Sequence, residues 1–315
     1  MHSHTTHSDG NLNPEQIVDW AFAYGFNALV VSDHNTLTGA LAAQSYANTV
    51  YNVDSSNPRI LVIPAIEHTT CRIHMQIVGL TSPIPAPKKA FPTDAELQSV
   101  IDQAHAQGAL VFANHLPWSL GTERNYNVPT LQHHPTREQL LDWGIDGFEI
   151  LHDGKLDLPT LLFARKHGMP LISSTDIHTA EDVPYGWTLI KDTPLNVPAI
   201  LEKLKNGETS FASHPTGVGK KIIWPENNPE WDKWAPLVGM DFGFLYDDIH
   251  GMYSFTGEWC HEQRLIVHQG RAVWFVIWTI LAWVGYEVAR WGVGIGYMWV
   301  QERFGKRSRE RGIML

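Results

Sequence analysis

The feature that most limits the fold of this chain is an alternation. Short apolar runs follow one another from Ala28 to Val31, Arg59 to Ile66, His74 to Leu80, Ala109 to Ala113, Gly147 to Leu151 and Pro170 to Ser174, with Trp187 to Ile190 a short last one. Most are separated by segments of helical period. The first starts at Asn13-Pro14, a cap followed by proline at the first helical position, and closes at Gly25. Others run from about Leu37 to Asn48, Asp94 to Gln107, Thr136 to Trp143, Leu158 to His167 and Val197 to Asn206. An apolar run bounded by polar residues predicts a strand covered on both faces, and strand–helix alternation predicts a parallel α/β fold. About seven strands favour a closed parallel barrel over an open doubly wound sheet, which stays the alternative. No glycine-rich dinucleotide fingerprint follows the first strand, which argues against a nucleotide-cofactor fold.

The runs end in polar residues of one chemical type. His34, Glu67, His115, His152, Asp176 and His178 stand where strands give way to loops, and in a parallel barrel those ends share the face on which active sites form. Ahead of them lies His2-Ser3-His4, whose spacing puts both imidazoles on one side of an extended segment. Asp9 precedes Gly10 on the turn that leaves it, so its carboxylate can fold back. A lone histidine is more often a hydrogen-bonded polar residue than a ligand. Nine such groups, most of them at strand ends, argue for metal: His2, His4, Asp9, His34, Glu67, His74, His115, Asp176 and His178. Imidazole with carboxylate suits zinc, manganese or ferrous iron better than magnesium or calcium. The set is large enough for two or three divalent ions. Ions held about 3.5–4 Å apart share a bridging hydroxide and clamp an in-line displacement, chemistry suited to phosphate esters. Asp9, His34, Glu67 and Asp176 are the expected catalytic residues, acting through the bound metals, and Glu67 can bridge two ions. Arg72, Arg124, His152 and Lys155 lie in or near the same loops and are candidates to orient a phosphate, although solvated loop residues are commoner. His7, His68, His133 and His134 are not expected to be ligands.

A chain of 315 residues, 43% hydrophobic and 18% charged, is long and apolar enough to bury a large core. Its formal charge of −10 excludes an extended nucleic-acid surface but not a local phosphate site. Its two cysteines, Cys71 and Cys260, form neither a disulfide framework nor a zinc-finger spacing, and are compatible with a reducing compartment. No secretory leader precedes the first histidine.

The strings HSHTTHSDG and VSDHNT, then Glu67, His74, ANHLPW with His115, STDIH with Asp176 and His178, and LKNGETSF from Leu204 to Phe211 resemble the PHP family, the polymerase-and-histidinol-phosphatase metal-dependent phosphoesterases. The resemblance runs from residue 2 to about 214. It implies a distorted (β/α)7 barrel with a trinuclear metal site, with all nine residues above as ligands. It also implies hydrolysis of a small phosphorylated substrate, monoester or diester. The sequence departs from the family pattern in having a single residue before His2, so most of the usual first strand is absent.

From about Pro215 the alternation stops. Residues 215–270, rich in Trp, Pro, Asp and Gly, are expected to form either a cap over the barrel mouth or a connector. Ala272 to Tyr286 is uncharged; as a helix it is about 22 Å long, short of the roughly 30 Å hydrocarbon core. Extension through Val300 makes it long enough but includes Glu287 and Arg290, which can pair on one face. Tryptophans near both ends fit an interfacial belt, and Arg303, Lys306, Arg307, Arg309 and Arg311 form a basic tail. The expected organisation is a barrel over 1–214, a cap or connector over 215–270, a transmembrane helix over 271–300 and a tail over 301–315. The protein is thus expected at a membrane through a single C-terminal pass. The basic tail predicts a cytoplasmic C-terminus and an external barrel, whereas a barrel without a leader stays inside; a signal upstream of Met1 would reconcile the two. The leading functional expectation is a membrane-tethered phosphoesterase. The alternatives are a non-catalytic metal-binding module of the same fold and a metal-dependent hydrolase of C–N or C–O bonds.

Overall fold

The structure, a computed structural model, describes all residues except 1, 55, 123–129, 220, 223–245, 250–251, 262–263 and 311–315. The chain divides into two compact units. The first comprises Met1–Asn227 with His250–Glu262, and the second Asn228–Ile249 with Gln263–Leu315.

The first unit is an α/β layer structure. Its elements are α1 (Pro14–Ala23), β1 (Ala28–Val31), α2 (Thr38–Val50), β2 (Leu61–Thr69), β3 (His74–Val78), α3 (Asp94–Ala106), β4 (Leu110–Ala113), α4 (Leu116–Ser119) and α5 (Arg137–Asp142). They continue with β5 (Gly147–His152), β6 (Lys155–Leu156), α6 (Leu158–Lys166), β7 (Leu171–Ser174), β8 (Gly186–Leu189), α7 (Val197–Lys205) and β9 (Ser210–Ser213). The helix starts follow local chemistry: Asn13 with Gln16, Thr93 with Glu96 and Thr136 with Gln139 each form a reciprocal capping box.

Seven strands form one sheet in the order β1-β2-β3-β4-β5-β6, with β7 also on β5. The pairs β1–β2, β4–β5 and β5–β7 are parallel, but β3 runs antiparallel to both β2 and β4. This corrects the all-parallel expectation. Only Thr70–Ile73 joins β2 to β3, far too few residues for a crossover helix, so the chain must turn back. The sheet curls, and its two ends are linked through Ser3. Ser3 bridges Ile177 in parallel, His4 N donates to Ile177 O, and Ser32 N donates to Ser3 O at 2.9 Å.

Alternation along the strands separates two apolar layers. Val30, Ile63, Ala65, Val78, Leu110, Phe112 and Ile172 share one buried cluster with Ile200 and Leu204 of α7. Leu29, Val31, Val62 and Ile66 belong to the other, with α1, α2 and α3. Continuing the first set by two residues at a time leads to Ser32 and His34, Glu67, Asn114, and Ser174 and Asp176. Reading β3 backwards from Val78 gives Gln76 and His74. The inner face of the sheet is therefore apolar at one end and polar at the other. Because β3 is reversed, its first residue, His74, arrives at the same mouth as the last residues of its neighbours.

In the second unit, β10 (Tyr246–Ile249) and β11 (Arg264–Val267) form an antiparallel pair, and α8 (Gln269–Glu310) is one continuous helix of 42 residues. Its stretch Gln269–Arg303 contains an 18-residue window of mean hydropathy 1.6 and is apolar and long enough to cross a membrane. Glu287 and Arg290 pair on its surface at 2.7 Å. Large side chains such as Trp283, Trp291 and Val293 are exposed along it.

Candidate metal centre

The polar mouth brings together all nine residues that the sequence singles out. Four overlapping groups have nitrogen or oxygen atoms within 4.8 Å of one another: His4, Asp9, His34 and His178; His2, His115 and Asp176; His2, His4 and Glu67; Glu67, His74 and His115. Glu67 lies at the junction. Its Oε1 is 3.1 Å from His74 Nδ1 and from His115 Nε2, and accepts from Asn114 Nδ2 at 2.7 Å. Its Oε2 is 3.0 Å from His34 Nδ1, 3.3 Å from His2 Nε2 and 3.4 Å from His4 Nε2. Asp9 faces His34 Nε2 at 3.4 Å and His178 Nε2 at 3.5 Å.

The donor set fits metal ions on two observations. Asp176 Oδ1 is buried and has no hydrogen-bond partner, although His4 Nε2 and His2 Nε2 lie 3.2 and 3.4 Å away. Such an orphaned carboxylate oxygen, facing two ring nitrogens that are themselves only 3.0 Å apart, is what a cation would satisfy. The second observation is electrostatic. Burial, and then repulsion from His34, lowers the His4 pKa to about 4, and burial lowers that of His74 to about 4. Both are neutral at pH 7, the form that binds metal. Burial opposes charge on His34 and His178 as well, but Glu67, Asp9 and Asp176 overcome it and raise both to about 9, so those two must release a proton when a cation binds. Burial opposes the charge of Glu67, but His2, His74 and His34 outweigh it and hold the carboxyl well below its usual range. Asp176 is depressed in the same way by His2 and His4.

Several supporting residues are not evident from sequence. Glu149 is buried inside β5 and accepts from His2 Nδ1 at 3.0 Å and from the backbone N–H of His115 at 2.9 Å, with His152 Nδ1 at 3.4 Å. An uninterrupted run around it, Gly147 to Leu151, conceals it; the only sequence signal is an acidic residue in a strand with no partner nearby. Asp33 accepts from Thr5 N, Thr5 Oγ1 and Ser8 Oγ at 2.7–2.8 Å and so fixes the turn between His4 and Asp9. Gly39 makes room for it: a Cβ there would lie 1.9 Å from Asp33 Oδ2. Thr69 Oγ1 sits 2.5 Å from His34 Nδ1.

The centre floors a cavity of about 630 Å³. Of the four phosphate candidates, His152 and Lys155 line it. Burial opposes the charge on His152, but Glu149 and Asp176 overcome that and raise its pKa. Arg72 is placed elsewhere: its guanidinium donates to Pro92 O and His133 O and pairs with Asp94. Arg124 lies outside the described residues. Of the histidines set aside, His68 is buried and His134 half-buried, both off the cluster and each with an unpartnered ring nitrogen, and His7 binds Thr38 Oγ1.

The two cysteines, whose spacing alone indicates no pairing, are joined in the structure. Cys71 and Cys260 form a disulfide across 189 residues, with Cα atoms 5.0 Å apart. The segment carrying Cys260 has no periodicity, so nothing in the sequence brings it next to Cys71.

Residues 161–209 match the PHP-associated family model. This match supports a PHP-type domain in the chain. A curated relative, a 5'-3' exoribonuclease of Haemophilus influenzae, is 42% identical over 50 residues, 16% of this chain and 18% of its own length. A two-domain protein of Bacteroides vulgatus, containing a predicted PHP-like metal-dependent phosphoesterase, shares the fold at TM-score 0.53 and 19% identity over 68% of this chain and 63% of that one. An amidohydrolase of Chromobacterium violaceum aligns at TM-score 0.37 and 15% identity over 57% of this chain and 87% of its own. The chain thus spans under a fifth of this curated relative and under two thirds of the Bacteroides structure.

Proposed function

We propose that this PHP protein is a metal-dependent hydrolase of small phosphate esters, with three divalent ions of manganese, zinc or iron in the cluster. One observation carries the reading: nine imidazoles and carboxylates from distant parts of the chain gather around Glu67, with a carboxylate oxygen of Asp176 left unsatisfied. Asp9, His34 and His178 would hold one ion; His2, His4, Glu67 and Asp176 a second; Glu67, His74 and His115 a third. Such ions polarise phosphoryl oxygens and acidify water. Glu67 presents its two oxygens to two of these groups and keeps them in register. Glu149 fixes the ring of His2 by accepting from Nδ1, leaving Nε2 directed into the cluster. His152 and Lys155 lie on the cavity wall, where a cationic His152 attracts phosphate and can deliver a proton to the departing oxygen.

Membrane tethering through α8 is part of the proposal. The Gln269–Arg303 stretch is about 52 Å long at 1.5 Å per residue, more than a bilayer core needs, and the Glu287–Arg290 pair lowers the cost of burying either charge.

The test is metal analysis of the purified protein, followed by assay of manganese-loaded protein on a phosphomonoester and a phosphodiester. Release of phosphate from the monoester, or of the alcohol from the diester, that is lost with Glu67→Gln supports the reading. Bound metal without turnover of either substrate would leave a non-catalytic module or a C–N or C–O hydrolase.

A further inference from the structure

We propose that the loop from Met252 to Cys260 is a stapled aromatic wall that makes the cavity select phosphate esters carrying a planar ring; this rests on the phosphoesterase reading above. The loop lies far beyond the matched segment at 161–209, yet it belongs to the first unit and borders the metal centre. It is folded on itself. Tyr253 bridges Trp259, Cys260 N donates to Met252 O at 2.8 Å, and Ser254 N donates to Glu258 O at 3.0 Å.

Three ties hold it. The disulfide joins it to Cys71, in the turn between Glu67 and His74. His261 Nε2 donates to Thr130 O at 2.7 Å, and Gln132 Nε2 donates to Cys260 O. Beneath lies a small buried cluster of Cys71, Ala90, Leu131 and Cys260, on which Met252 and Trp118 pack.

The ties give the cavity two unlike walls. One is ionic, built from the cluster and His152. The other presents Trp118, Tyr253 and Phe255. Phe255 stacks on His34, centroids 4.1 Å apart and planes at 27°. It does so with φ of +57°, a conformation that bulky residues avoid and that persists only where the surroundings enforce it. Tyr253, 39% exposed, packs edge-on against Phe255 at 5.6 Å. Because Phe255 and Trp118 pack directly on His34, His74 and His115, the rings border the anionic-ligand site, and the cavity fits a ligand that carries a flat apolar group next to its phosphate. A ring stacked on such a wall binds roughly tenfold better than a ligand without it.

The experiment is equilibrium binding of phenylphosphonate and methylphosphonate to the full-length, manganese-loaded protein by calorimetry, with no turnover involved. The wild type should prefer the phenyl compound by about tenfold or more. Tyr253→Ala and Phe255→Leu should each shrink that ratio severalfold, and Cys260→Ser should shrink it by loosening the loop. Tyr253 is largely at the surface, so its variant keeps the test valid if Phe255→Leu misfolds. Equal affinity for the two phosphonates, or a ratio untouched by Tyr253→Ala, overturns the wall. Failure of both phosphonates to bind overturns the phosphoesterase reading instead.

Discussion

Replacing Glu149 by Gln changes one buried atom pair and should cost the protein an ion. The carboxylate accepts from His2 Nδ1 at 3.0 Å through one oxygen and from the His115 backbone N–H at 2.9 Å through the other. A glutamine has one oxygen and one NH2 group. The His115 N–H cannot reverse its polarity, so the amide oxygen must stay with it and the NH2 must face His2 Nδ1. His2 then has to accept there, which moves its proton to Nε2. That atom lies 3.3 Å from Glu67 Oε2 and 3.4 Å from Asp176 Oδ1, and once protonated it has no lone pair for a metal. Loss of a supporting hydrogen bond of this kind weakens metal binding by about 10–100-fold, or about 1.4–2.7 kcal/mol. The assay is chelator competition with manganese on the wild type and Glu149→Gln, with circular dichroism to establish that both are folded. One class of ion should weaken by that factor. Wild-type affinity in a folded variant would refute the tautomer argument, and the wild type's own binding is the internal control.

Other consequences are equally direct. Gly39→Ala puts a Cβ against the Asp33 carboxylate and within 2.5 Å of Thr5 Oγ1. Expelling Asp33 frees the turn between His4 and Asp9, so the variant should lose about 3 kcal/mol of stability and bound metal together; a denaturant midpoint equal to wild type would contradict this. His134 has a folded pKa of about 4, lowered chiefly by burial, against about 6.5 unfolded. The unfolded chain therefore binds more protons between those values, and acidification from pH 7 to 4 should cost on the order of 2 kcal/mol through this group alone. His134→Asn, whose amide can replace Nδ1 as donor to Pro135 O, should flatten that limb of stability against pH; an unchanged profile counts against it. Leu281→Arg, in the uncharged half of α8, adds about 2.5–3.5 kcal/mol to membrane insertion. The full-length variant should leave the vesicle fraction in flotation, and flotation as for wild type would remove the membrane claim.

Much of the first unit is legible because strand periodicity and metal chemistry point the same way. Most inner-face series that are apolar at one end run out in a histidine or carboxylate at the other, the β4 series ending in Asn114 beside His115, so finding the strands nearly finds the mouth. His74 is the instructive exception. At a strand start it should lie at the far end of a parallel barrel. Four connecting residues reverse its strand and return it to the cluster, and that shortness was visible in the sequence. Glu149 and Asp33 are harder to read, since each acts chiefly by accepting from groups 25 or more residues away, and no local pattern encodes such distances.

The aromatic loop is the least legible part, for a different physical reason. A periodic segment carries information about which face it buries, whereas Met252 to Cys260 buries itself through a covalent link and a few hydrogen bonds to Thr130 and Gln132. The link is placed where it matters to the site. Cys71 occupies the same turn that reverses β3, so the bond fixes the loop to the stretch that sets the separation of Glu67 and His74. In the chain-entropy model, closing 189 residues contributes about 5 kcal/mol, the upper end for a disulfide. If that stabilisation is realised, Cys260→Ser should lower the denaturation midpoint of the first unit as well as loosen the wall. A variant that relaxes ligand preference with no change in midpoint would mean that the bond constrains only the loop, and that Gln132 and His261 are enough to keep the turn at Cys71 in place.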